Sequence, residues 1–115
     1  MKLLRAVAVL HAGAVCLQPL LAGLYLNGEG GAISIHELVG LTAAGLCLLQ
    51  LVQTWLVTRL LWPSVLTGAV LAGEALMIHA GYGRELALHI PLGMAVVAGG
   101  IALAVWTVRR TAVAA

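Results

Sequence analysis

Two histidines, His36 and His89, hold matched positions in this chain, one in IHELVG and the other in LHIPLG. Each stands at the threshold of a long apolar run, and each is followed four residues later by a glycine, Gly40 or Gly93. A neutral imidazole nitrogen is a strong axial ligand for haem iron, and two of them complete a six-coordinate site fit for electron transfer. On a helix the residue four places on lies one turn deeper on the same face. A glycine there leaves the face of a flat macrocycle uncovered. The pattern predicts a b-type haem with His36 and His89 as iron ligands and Gly40 and Gly93 opening its slot.

Several other side chains could serve such a site. Arg84 is the natural partner of a haem propionate, because a guanidinium grips a carboxylate in a fork. Tyr25 and Tyr82 could donate to the same groups. Glu74 lies well inside an apolar run, where a bare carboxylate is costly. It is expected to be protonated, or paired with Gln18 or with an imidazole; a role accepting from a ligand histidine's other nitrogen stays open. His79 is open between a distal residue, an alternative ligand and a headgroup contact. His11 is expected to hydrogen-bond to Gln50 or Gln53 across helices rather than to ligate a metal. Cys16 and Cys47 lack the paired spacing of thiol–disulfide chemistry and read as buried small hydrophobes.

The elements that must position these residues are membrane spans. The 115 residues are 63% hydrophobic and only 9% charged, whereas a soluble domain carries about a quarter charged residues. Apolar runs of about 20 residues, enough to cross a bilayer, extend from about 3 to 26, 33 to 58, 61 to 80 and 86 to 108. Glycine and proline punctuate the connectors NGEGG, RLLW–Pro63 and GYGRE. The expected fold is an all-α membrane protein, a single four-helix up-down-up-down bundle with no stretch left for a soluble domain or a nucleic-acid-binding face. Lys2 and Arg5 before an apolar run mimic a signal peptide, but no small-x-small cleavage site follows, so the first span is expected to be retained. Lys2, Arg5, Arg59, Arg109 and Arg110 fall on one side, against Arg84 on the other. The positive-inside rule then puts both termini in the cytoplasm, in a bacterial plasma membrane. Trp55, Trp62 and Trp106 fit interfacial anchors near the cytoplasmic ends.

The two quoted segments are 53 residues apart (89 − 36), and the chain reads as two copies of one helical hairpin. Allowing a three-residue gap in the loop, Gln18 aligns with Glu74. The helical stripe of His36 continues through Gly40, Ala43, Cys47, Gln50 and Thr54. That of His89 continues through Gly93, Val96, Gly100, Leu103 and Thr107. Small and polar residues face the interior of membrane bundles, so both histidines should point inward, at one level near the outer leaflet. Adjacent axes about 8–10 Å apart make the diagonal roughly 11–14 Å. That gap suits a macrocycle held from both sides and is too wide for the rings to touch.

At these residues the chain resembles one four-helix half of the haem A synthases, whose halves carry histidines on their second and fourth helices. IHELVGLTAAG is similar to their histidine-arginine-x-x-glycine segment, and LALHIPLGMA to their later leucine-histidine helix start. LQPLLAG and LHIPLG also resemble segments of small four-helix membrane proteins of actinobacteria. The resemblance implies haem binding. It departs from the family at Ile33, where a glutamate would precede the ligand by three residues; Glu37 follows the histidine instead and is expected to face elsewhere. With no second half in the chain, the resemblance implies haem binding rather than haem modification.

Function is thus expected to be electron transfer, or sensing of haem or redox state, near the outer leaflet, with a redox partner, a respiratory-chain component or a second copy as partner. Three other readings stay open. One is a cofactor-free structural or assembly subunit. Another is a small multidrug-resistance-like transporter using Glu74. The third is a zinc or copper site built from His36, His79, His89 and a nearby glutamate.

Overall fold

A computed structural model describes residues 1–113 of the chain, with side chains described through Arg110. Four helices account for nearly all of it: α1 (Lys2–Leu26), α2 (Ala32–Thr58), α3 (Leu61–Tyr82) and α4 (Leu86–Val113). Even α3, the shortest at 22 residues, is about 33 Å long at 1.5 Å per residue. That exceeds the roughly 30 Å of a bilayer's hydrocarbon. All four are long and apolar enough to cross a membrane, and the bundle measures 47 × 21 × 18 Å. Boundaries fall within a residue or two of those expected, except that α4 runs five residues past Val108.

The connectors are tight, and two non-glycine residues bend backwards to make them. Arg59 closes α2 in the left-handed region at φ 53°, its N–H bonded to the Trp55 carbonyl at 3.1 Å. Arg84 takes φ 59° between α3 and α4. Left-handed backbone costs most residues about 1–2 kcal/mol, so both turns are held by what flanks them. At the first, Leu60 N–H donates to the Thr58 hydroxyl and the buried Pro63 sits in the opening turn of α3, where a missing N–H costs nothing.

Packing follows a ring. α1 lies against α2 and α4, and α3 lies against the same two, so α2 and α4 face each other across a diagonal. Each helix buries one narrow stripe. On α2 it is Ala43, Cys47, Gln50 and Thr54, and on α4 Val96, Gly100, Leu103 and Thr107, the faces the sequence assigned. Outside these stripes the surface is apolar: Leu38 is 65% exposed and Met94 71%. The interior, by contrast, holds His11, Gln50, Glu74 and Thr107 fully buried. Polar groups inside and leucine outside is the arrangement a lipid solvent demands, since lipid cannot hydrogen-bond and apolar surface loses nothing by meeting it.

Candidate functional site

His36 and His89 come from α2 and α4, the diagonal pair, and meet near one end of the bundle. Their ring centroids are 6.1 Å apart and their planes are inclined at 51°. Both rings are half-buried. His36 Nδ1 lies 3.2 Å from the Gln18 carbonyl on α1, and His89 Nδ1 lies 2.7 Å from the Met77 carbonyl on α3. A carbonyl oxygen can only accept, so in each ring Nδ1 must carry the proton. The lone pair is then on Nε2 in both. Two main-chain contacts have set both rings in the tautomer a metal ligand needs.

A cavity of about 300 Å³ takes in both imidazoles. All four helices line it, with Tyr25 from α1, Leu41 from α2, Ile78 from α3 and Ile90 from α4 among its walls. Mostly apolar walls with a few convergent polar groups are the usual form of a cofactor pocket.

Of the other expected residues, Tyr25 and Tyr82 line this cavity, as does Gly40. Tyr82 donates its hydroxyl proton to Glu37. Glu37 itself lines the cavity, so it does not face elsewhere as the spacing implied; an exposed tyrosine on α3 turns it toward the mouth. Arg84 is exposed in the α3–α4 turn and does not line the cavity; neither does His79, which is exposed on α3.

The two glycines make room for neighbouring side chains. A Cβ at Gly40 would lie 3.5 Å from Gln18 Oε1, and one at Gly93 would lie 3.1 Å from Met77 Sδ. Gly93 therefore admits a methionine, not a porphyrin face. The glycine that fits against an imidazole of the pair is Gly81, which the spacing of Gly40 and Gly93 does not single out. A Cβ there would stand 3.0 Å from His89 Cε1 and 3.1 Å from Nδ1. Its signal was a glycine in the last turn of α3, in a loop already rich in glycine.

Glu74 does not serve either histidine of this pair. It is buried on α3, where its Oε1 lies 2.8 Å from Nε2 of His11 on α1. That overturns the expected bond from His11 to Gln50 or Gln53: the carboxylate is the stronger acceptor and lies on the facing diagonal helix. The residue that does for His89 what Gln18 does for His36 is Met77, one turn nearer the loop than Glu74. The hairpin contacts span 18 residues in the first case and 12 in the second. Cys47 is buried as expected, whereas Cys16 is exposed on the outer face of α1.

No protein-family model, curated protein or solved structure matches this chain.

Proposed function

We propose that the protein is a small membrane cytochrome of b type, in which His36 and His89 hold one haem iron between α2 and α4. The observation that carries this is the ring pair itself. A metal about 2.0–2.1 Å from each of two facing imidazole nitrogens puts the ring centroids roughly 6 Å apart. The rings are 6.1 Å apart, with both Nδ1 protons spent on main-chain carbonyls. Haem bound there would supply a one-electron couple. The chain's own contribution is to hold both rings rigid, keep water from the iron's faces, and line the macrocycle with isoleucine and leucine. The resemblance to half of a haem A synthase points the same way.

Contacts at the bundle's two ends support an up-down-up-down order. The starts of α2 and α4 meet the end of α3 through His36, His89 and Tyr82. At the other end Trp62, opening α3, packs edge-on against Trp106, near the end of α4, at 5.1 Å. Arg59 and Arg110 lie over Trp55 and Trp106 there. A basic, tryptophan-rich end is what the positive-inside rule assigns to the cytoplasm. The haem would then lie near the outer leaflet of a bacterial plasma membrane, exchanging electrons with a partner on that side.

Titrating haem into the detergent-solubilised protein tests the reading. Uptake of one haem per chain is expected, with the spectrum of a six-coordinate low-spin iron. A protein that takes up none, or whose spectrum is that of free haem in detergent, rejects it.

A further inference from the structure

Below the histidine pair lies a second cluster that the proposed haem site does not use. His11 on α1, Cys47 on α2 and Glu74 on α3 each turn a donor atom inward, and these three atoms all lie within 4.8 Å of one another. By helical rise the cluster is about 10 Å below Gln18 on α1 and about 16 Å below His36 on α2. We propose that these residues form a metal site, distinct from the haem, for a divalent transition ion of the zinc type.

Four observations support this. First, the donors are an imidazole, a thiol and a carboxylate, a set that suits zinc rather than magnesium or calcium. Second, the exposures are 0% for His11 and Cys47 and 1% for Glu74, so water satisfies nothing here. Third, His11 Nδ1 and Glu74 Oε2 have no hydrogen-bond partner. A buried polar atom left unpaired is costly, and two in one contact mark a pair whose bonding is incomplete. Fourth, His11 Nε2 and Glu74 Oε1 are 2.8 Å apart, close enough for both to reach one ion at about 2.0–2.2 Å. The thiol, whose contact is a long 3.7 Å approach to the Thr67 carbonyl, needs only a small turn to join them. Gly100 brings α4 close against the cluster: a Cβ there would meet the His11 ring at 3.5 Å and Val15 at 3.0 Å.

Charge balance favours the ion. Without metal, a neutral cluster carries the thiol proton and one proton shared by His11 and Glu74. A divalent ion displaces both, leaving thiolate, carboxylate and neutral imidazole around a 2+ charge, again with zero net charge. A neutral complex is what a low-dielectric interior tolerates. α4 contributes no titratable side chain between His89 and Arg109, so nothing there upsets the balance.

The test is zinc content and the zinc X-ray absorption edge of the wild-type protein, equilibrated with zinc and freed of excess. One zinc per chain is expected, with one sulfur at about 2.3 Å and lighter ligands at about 2.0–2.1 Å. Cys47→Ser should remove the sulfur and weaken binding by at least the roughly 10–100-fold that loss of a mere supporting partner costs. Cys16→Ser should do neither. His36→Ala should lower haem content yet leave the zinc signal intact, which separates this site from the haem reading. No stoichiometric zinc, zinc with only nitrogen and oxygen neighbours, or a sulfur that survives Cys47→Ser would each overturn the proposal.

Discussion

The bundle contains two histidine arrangements, and they differ in what the imidazoles are bonded to. At the upper pair, two half-buried rings give their Nδ1 protons to main-chain carbonyls and keep Nε2 free beside a cavity. At the lower site a fully buried ring is tied through Nε2 to a carboxylate on the diagonal helix. A main-chain carbonyl cannot change its protonation, so it fixes a tautomer and leaves the other ring nitrogen unprotonated. A carboxylate can share or exchange a proton, so it makes a pair whose charge depends on what else arrives. The same residue type thus keeps a free ring nitrogen beside a cavity in one place and is tied to a carboxylate in the other, by its partner alone.

The largest effect that would break this contrast is loss of a ring at the upper pair. His36→Ala or His89→Ala should abolish stoichiometric haem uptake, read from the Soret absorbance per chain, while His79→Ala, on the exposed face of α3, should leave it unchanged. Equal losses from all three would mean that the 6.1 Å pair has no special standing. Next in size is the lower site. Glu74→Ala strands a buried imidazole, and removing one partner of a buried pair costs about 3–5 kcal/mol. Denaturation in mixed micelles should show that loss. The double variant His11→Ala/Glu74→Ala should be less destabilised than the two single losses summed, and strict additivity would deny the pair.

Gly81→Ala sharpens the comparison from the side of positioning. The added methyl meets the His89 ring at 3.0 Å, so the ring must give by a few tenths of an ångström, which strains its contact with the Met77 carbonyl. Haem affinity should fall about 10–100-fold, the usual cost of disturbing a ligand's supporting contact, with helical content intact. An unaltered affinity would show that the ring has room the geometry denies it. The smallest effect is expected at the mouth. Tyr82→Phe removes an exposed hydrogen bond to Glu37, which water can replace, so thermal midpoint and haem content should scarcely move.

Much of the fold was legible because a lipid solvent leaves few choices. Runs of 20 apolar residues bounded by NGEGG and GYGRE form helices long and apolar enough to cross a membrane, and the stripe below His36 is buried from Ala43 to Thr54 as its small and polar residues implied. The histidine pair was legible for the same reason, as two imidazoles at one level on two inward faces. Partners were not. Periodicity says which face a residue occupies, not which facing side chain reaches it. His11 could be placed inside but not assigned to Glu74, whose carboxylate stands 63 positions away. Gly93 has the spacing of Gly40 yet accommodates Met77, and Gly81, which packs on the His89 ring, had nothing but its composition to distinguish it. Glu37 escaped because a tyrosine from another helix turns it.

The most direct test is the visible spectrum of the reduced, detergent-solubilised protein before and after exposure to carbon monoxide. Two axial imidazoles predict the sharp paired bands of six-coordinate, low-spin ferrous haem, little altered by the gas. A colourless protein after haem supplementation, or one whose bands shift at once to those of a carbon monoxide adduct, would show that His36 and His89 do not hold an iron between them.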